Sequence, residues 1–203
     1  NFSPDSQFLA SASDDRSIIL WNREGQLIKE LRVDGSKFSV DGSKFSSVSF
    51  SPFYGDEQLI VAATTDRSLM FWKKAQDTNW ERLNTRTAIG EHTESIYKVS
   101  FSPNGEMIAS ASGDGTIKLW DRYGNLISTM RGGSVPLLSV NFSPDDQTLV
   151  ATDNANRVIF WKLDTSEFNN IDYLLKQICS QFSNYLKYNP TVDKTDQGLC
   201  DKN

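Results

Sequence analysis

Four tryptophans stand behind four copies of one triplet. Phe-Ser-Pro begins at Phe2, Phe50, Phe101 and Phe142, and Trp21, Trp72, Trp120 and Trp161 follow in turn. Three of these intervals are 19 residues, and that from Phe50 to Trp72 is 22, lengthened by the loop Pro52-Phe53-Tyr54-Gly55-Asp56-Glu57. From each Trp to the next triplet the intervals are 29, 29 and 22, so the plain unit is 41 residues. A period of this length marks a solenoid or propeller, whose units bury their apolar faces only against neighbours. Such an array points away from a single buried active site and toward a broad binding surface.

The two long intervals have different origins. Val33–Ser39 and Val40–Ser46 both read VDGSKFS, and removing one copy restores the plain spacing. A literal duplication of this kind is tolerated in a surface loop, whose lengthening costs little entropy. The other long interval carries an unrelated polar insertion around Ala75–Arg86.

Within a unit the residues alternate as strands do. In the third, Ile96, Lys98 and Ser100 alternate with Tyr97, Val99 and Phe101, a period of two. Asn104-Gly105 is a hairpin signal, and Met107–Ser112 is a small apolar strand. Gly113-Asp114-Gly115 turns into Thr116–Asp121, and Tyr123-Gly124-Asn125 turns into Leu126–Met130. Four short antiparallel strands make a blade. In the last unit, strands are expected near Leu137–Phe142, Thr148–Thr152 and Arg157–Lys162, with no clear fourth.

Composition excludes several classes. A formal charge of −5 and a pI near 4.9 do not suit a nucleic-acid surface, which needs clustered Lys and Arg. No run approaches the ~20 apolar residues of a membrane span, and no charged-then-apolar N-terminus suggests a signal peptide. Cys179 and Cys200 are no disulfide framework, so a reducing, cytoplasmic setting is expected. No phosphate-binding glycine loop and no His/Cys metal spacing appears, and no cofactor is expected. The chain opens inside a Phe-Ser-Pro motif rather than at Met, which reads as a fragment.

The run Gly90-Glu91-His92, with Ser112-Gly113-Asp114-Gly115-Thr116-Ile117-Lys118-Leu119-Trp120-Asp121 behind it, resembles the WD40 repeat and its G-H … W-D signature. The resemblance covers residues 1–163, with repeats around 1–31, 46–88, 90–130 and 133–163. It implies an all-β chain of about four four-stranded antiparallel propeller blades, part of a larger, commonly seven-bladed ring. Such a ring often closes by borrowing an outer strand from the N-terminal end of the chain. Only the third unit ends in Trp-Asp; the others end Trp21-Asn22, Trp72-Lys73 and Trp161-Lys162.

WD40 blades often hold a buried hydrogen-bonded set of His, Ser or Thr, Asp and Trp. Carried over, the set falls on His92, Ser112, Asp114 and Trp120. Ser112 is preferred to Ser110 by register: eight residues before each Trp stand Ser13, Thr64, Ser112 and Asp153, whereas ten before stand Ser11, Ala62, Ser110 and Ala151. The Asp position reads Asp15, Asp66, Asp114 and Ala155, and His92 is the single histidine. A His, a Ser and an Asp in one unit also invite a hydrolase reading. No Gly-x-Ser-x-Gly elbow supports it, and the Ser-x-Asp-x-Gly-x-Thr-Trp box of sialidase propellers is not matched. Asp14-Asp15, Asp66 and Asp153 sit at tight turns, where Asp bonds its own backbone; calcium needs 6–8 oxygens. No metal site is expected.

Residues 164–203 form a separate tail. Ile171, Leu174, Leu175, Ile178, Phe182, Tyr185 and Leu186 recur at helical spacing, Asp172 suits the start of a helix, and Asn189-Pro190 ends it. Leu174-Leu175, Cys179, Tyr185-Leu186, Asn189-Pro190 and Leu199-Cys200-Asp201 resemble the C-terminal extension of cyanobacterial WD-repeat proteins. The expectation is a non-enzymatic scaffold that binds protein partners through propeller-face loops. The alternative is a regulatory propeller behind an upstream STAND-type NTPase.

Overall fold

A computed structural model describes residues 1–32, 44–52, 58–76, 79–89 and 91–163, the side chains of residues 76 and 84–89 aside. The chain divides into two compact units, Asn1–Lys162 and Leu163–Asn203. Apart from Leu163, the second lies outside the described residues, and with it the helix expected in the tail. The duplicated stretch before Lys44 lies outside them too.

Every regular element described in the first unit is a β-strand, and the strands form four antiparallel sheets. The first sheet contains β1 (Phe8–Ala12), β2 (Ser17–Asn22) and β3 (Leu27–Arg32). The second contains β4 (Phe45–Phe50), β5 (Leu59–Thr64), β6 (Ser68–Gln76) and β7 (Asn79–Ile89). The third contains β8 (Ile96–Phe101), β9 (Met107–Ser112), β10 (Thr116–Asp121) and β11 (Leu126–Arg131). The fourth contains β12 (Leu137–Phe142), β13 (Thr148–Asp153) and β14 (Val158–Lys162). Each sheet is a meander in sequence order, as tight turns between successive strands require.

The expectation of four-stranded blades therefore holds for the second and third sheets, the fourth shows the three strands expected of the last unit, and the first is corrected to three. In the second, third and fourth sheets, Phe50 pairs with Ile60, Phe101 with Ile108 and Phe142 with Leu149. In the first, Phe2 makes an isolated bridge to Leu9. The fourth sheet has no outer strand among the described residues. The insertion around Ala75–Arg86 is built into the second sheet. Its residues extend β6 and β7 into a long hairpin, and Trp80 is buried edge-on to Phe50 with ring centroids 5.9 Å apart.

The Phe-Ser-Pro serine latches each blade. Its hydroxyl accepts the N–H of the residue opening the next strand: Phe8 to Ser3 at 2.8 Å, Leu59 to Ser51 at 2.8 Å, Met107 to Ser102 at 2.9 Å and Thr148 to Ser143 at 2.9 Å. In three blades a side-chain oxygen two residues on (Asp5, Asn104, Asp145) accepts the hydroxyl proton in return. This is turn chemistry, in which short polar side chains replace backbone partners.

Stacking of sheets explains why the middle strands read as continuous apolar runs. All six residues of β5, of β9 and of β10 are buried, so both faces of these strands are covered. One core joins Ala10, Ile18 and Leu20 of the first sheet to Phe45, Val48, Phe50, Ile60 and Trp72 of the second. The next joins Leu59, Val61, Ala63, Leu69 and Phe71 of the second to Ile96, Val99, Phe101, Ile108 and Trp120 of the third. At the faces that no further sheet covers, the same alternation leaves side chains open: β14 is half-buried to exposed throughout, and Phe2 is exposed.

Candidate functional site

The third blade closes a polar chain inside apolar surroundings. Trp120 stands on β10 opposite Ile108 of β9, and Ser110 is one pleat further along the same face. The Trp120 indole N–H donates to Ser110 Oγ at 2.8 Å. Ser110 Oγ is also 2.8 Å from His92 Nε2, and His92 Nδ1 is 2.8 Å from Asp114 Oδ2. His92, Ser110 and Trp120 are all at most 1% exposed, so each polar atom depends on these partners.

Proton positions follow from the ends of the chain. The indole N–H can only donate and an ionised Asp114 can only accept. His92 Nδ1–H therefore donates to Asp114, and the Ser110 hydroxyl donates to the lone pair on Nε2. Asp114 also accepts the Thr116 hydroxyl at 2.6 Å, the Thr116 N–H at 2.9 Å and the Thr93 N–H at 3.0 Å. Burial raises the Asp114 carboxyl, but the bonds from Thr116, His92 and Thr93 outweigh it and hold it at about 2, against an ordinary 3.8. For His92 burial dominates: it pushes the imidazole below 6.5 against the opposing pull of Asp114, and the ring is neutral.

The structure corrects one member of the expected set. Ser112 is not the bridging hydroxyl; Ser110 is. Ser112 sits two residues nearer the turn, beyond reach of Trp120, where it donates to the Glu94 carbonyl at 3.0 Å and accepts the Asp114 N–H at 3.2 Å. The first blade repeats the pattern, since Trp21 Nε1 donates to Ser11 Oγ at 2.9 Å. The position ten residues before the Trp thus faces the indole, and the position eight before caps the hairpin turn. Ser13 accepts the Asp15 N–H, Thr64 donates to Asp66 and to the Ser68 carbonyl, and Asp153 accepts the N–H groups of Ala155 and Arg157.

The remaining expected residues stay in their own blades. Asp15 accepts both the N–H and the hydroxyl of Ser17, at 2.9 and 2.6 Å, which lowers its carboxyl. Trp72 is buried edge-on to Phe45, ring centroids 6.0 Å apart, and Trp161 is half-buried opposite Leu149. Asp153 was read as a turn residue only. Its carboxylate also pairs with Arg157 Nε at 2.7 Å, serving the turn of the one blade whose usual Asp position is Ala155.

Ser110, His92 and Asp114 are connected in the order of a hydrolytic Ser-His-Asp triad. Two features disqualify Ser110 as a nucleophile. It is fully buried, and the Trp120 N–H already occupies a lone pair of its oxygen. A reacting carbonyl has no approach to that atom. Among the described residues no three His, Cys, Asp or Glu side chains converge on a point where a metal ion would sit.

The family model described as "WD domain, G-beta repeat" matches residues 1–22, 83–121 and 124–162. The chain is a WD40-repeat protein. Over 152 residues it is 32% identical to an uncharacterized WD repeat-containing protein of Synechocystis sp., covering 74% of this chain and 39% of that one. Over 175 residues it is 31% identical to the nuclear distribution protein PAC1 of Arthroderma benhamiae, covering 81% of this chain and 35% of the relative. Over 124 residues it is 32% identical to the transcriptional corepressor LEUNIG_HOMOLOG of Arabidopsis thaliana, covering 60% of this chain and 15% of the relative. This WD40 chain thus spans well under half the length of the relatives it matches. Among its described residues no helix is long and apolar enough to cross a membrane, which says nothing of β-barrels.

Proposed function

We propose that this WD40 chain is a non-enzymatic scaffold that binds a protein partner through one end of its blades. The observation that carries the reading is a pair of exposed apolar side chains at one register position on neighbouring inner strands. β8 and β12 each carry a bulge after their first residue, and the bulged residues are Tyr97 and Leu138, 40% and 43% exposed. Tyr97 stands beside the turn that carries the polar chain, its ring 3.5 Å from where a Cβ on Gly113 would stand, and Leu138 stands beside the corresponding Asp153 turn of the fourth sheet. A rigid blade thereby displays variable side chains without disturbing its own packing.

The polar chain serves as the support, not the reagent. It fixes β9, β10 and the Glu91–Glu94 segment against one another, beneath the displayed residues. The relatives that include a corepressor and a nuclear distribution protein accord with binding work, and the acidic balance disfavours direct contact with nucleic acid. A cytoplasmic setting and a role in signalling belong to the same proposal. The regulatory alternative with an upstream STAND-type NTPase rests on the tail, outside the described residues.

The test is affinity capture from the source cells with the wild-type chain and with a Tyr97→Ala/Leu138→Ser double variant of unchanged Tm. A partner retained by the wild type and lost by the variant supports the reading. A bound set that does not differ between the two overturns it.

A further inference from the structure

The outer strands of the first and third blades carry one pattern with one substitution. β3 pairs with β2, and β11 with β10, in the same register. Ile19 stands opposite Glu30 and Ser17 opposite Arg32, as Lys118 stands opposite Thr129 and Thr116 opposite Arg131. Residues two apart share a face of a strand, and in the first blade Arg32 Nη2 lies 2.6 Å from Glu30 Oε1. The third blade keeps the arginine as Arg131 and has the hydroxyl of Thr129 in place of the carboxylate.

That hydroxyl already has a cation on it. Lys118 Nζ donates to Thr129 Oγ1 at 2.9 Å, although Lys118 is only 7% exposed. Lysine is almost never buried so far without an opposite charge. The same position is apolar in the other three blades, as Ile19, Met70 and Ile159. Among the described residues neither Lys118 nor Arg131 has a carboxylate partner. Thr129 itself is exposed, on a strand whose backbone is extended and has β10 as its one neighbour in the sheet. Two cations thus flank an accessible hydroxyl where a sister blade carries an anion.

We propose that Thr129 is a phosphorylation site, its phosphate received by Lys118 and Arg131 as Arg32 receives the Glu30 carboxylate. A kinase supplies the group from a nucleoside triphosphate. The Thr129 oxygen bonds the γ-phosphorus, the bond from that phosphorus to the diphosphate breaks, and the hydroxyl proton passes to the kinase's base. A phosphothreonine carries about 1.5–2 negative charges at neutral pH, which one ammonium and one guanidinium balance. Lys118 Nζ is already within hydrogen-bond distance of the oxygen that is modified, so it meets the phosphate without rearrangement. An exposed pair such as Glu30–Arg32 contributes little, whereas a dianion shared with a largely buried ammonium contributes more. The modification therefore fastens β11 onto β10 and cancels the positive charge at that edge of the third blade.

The experiment has two arms, both on the full 203-residue chain. In the first, wild type and Thr129→Val are incubated with γ-labelled ATP and a lysate of the source cells, and fragment mass spectrometry locates the phosphate. Phosphate on Thr129 is expected, with the corresponding label lost from Thr129→Val. A wild type that takes up no phosphate at Thr129, whether or not another residue is labelled, overturns the proposal. In the second arm, Thr129→Glu gives the third blade the carboxylate of Glu30, and its Tm is expected to stand about 2–4 °C above that of Thr129→Gln. The difference is expected to fall by about half or more when Lys118→Met is added to both. Arg131→Gln replaces Lys118→Met if circular dichroism shows that variant unfolded, with the same loss expected. A Thr129→Glu variant no more stable than Thr129→Gln overturns the proposal, because the two cations then do not receive an anion. A difference untouched by removing the cation overturns it as well.

Discussion

Ser110 Oγ lies 2.8 Å from Trp120 Nε1 and accepts its N–H, while its own hydroxyl donates to the imidazole 2.8 Å away. One hydroxyl therefore satisfies two buried groups that have no other partner in reach. Ser110→Ala leaves both unpaired, at about 1–3 kcal/mol each. Ser112→Ala removes two longer bonds at the turn, at 3.0 and 3.2 Å, and costs about 1 kcal/mol. Urea denaturation of the two variants is expected to show Ser110→Ala as clearly the less stable. The reverse order would assign the bridging role to Ser112.

The pH dependence has a definite sign. His92 titrates lower in the fold than its ordinary 6.5, so as pH falls the unfolded chain takes up the proton first. Its contribution is complete above about 6.5 and declines below it. Asp114 is also depressed, to about 2, so its contribution is complete above 3.8 and is lost between 3.8 and about 2. The His92 limb is therefore read as a difference: the urea midpoint of the wild type falls between pH 6.5 and 4, and that of His92→Gln falls less over the same interval. Parallel pH profiles would mean that the imidazole titrates alike in the folded and unfolded chains.

What the sequence made legible was the local chemistry. The Trp register, the Phe-Ser-Pro latch and the hairpin turns each rest on bonds between residues close in sequence, such as Met107 to Ser102. Ser112 misled for a physical reason. Its position is polar in all four blades because the β1–β2, β5–β6, β9–β10 and β13–β14 hairpins each have a turn to cap, so uniformity marked a generic device. The position of Ser110 is polar only where an indole N–H is bonded, in the first and third blades. The bonds from Val99 to Ser47 and from Phe101 to Ser49 were illegible for a different reason: they depend on faces set by sheet stacking, which spacing along the chain does not report.

Backbone conformation gives a further expectation. Five residues before each Trp the chain turns with positive φ: Arg16 at 71°, Arg67 at 74°, Gly115 at 76° and Asn156 at 60°. Only the third blade has glycine there, and a Cβ on Gly115 would stand 2.5 Å from the Gly133 carbonyl oxygen. Gly115→Ala combines that clash with a left-handed backbone costing about 1–2 kcal/mol, and is expected to lower Tm by several degrees. Arg67→Gly relieves the same backbone in the second blade and is expected to raise stability by about 0.5–1 kcal/mol. Differential scanning calorimetry compares the pair. An Arg67→Gly variant less stable than wild type would show that the arginine side chain contributes more than its backbone costs.

The inner strands give the last expectation. Along β8 alternate N–H groups point away from β9, toward the second blade. There the Val99 N–H donates to Ser47 Oγ and the Phe101 N–H to Ser49 Oγ, both at 3.3 Å. Val99 and Phe101 are buried, so without those hydroxyls the two N–H groups would be orphaned rather than hydrated. Ser47 and Ser49 thus fasten adjacent blades by side chain where a sheet would use a backbone ladder. Ser47→Ala/Ser49→Ala is expected to cost about 2 kcal/mol or more for two buried donors left unmet. The loss should also be local. Amide exchange at Val99 and Phe101 is expected to accelerate more than at Ile108, whose place in β9 between β8 and β10 is untouched. Uniform acceleration across β8 and β9 would mean that the serines act only through global stability, and the blades would then be joined by their apolar cores alone.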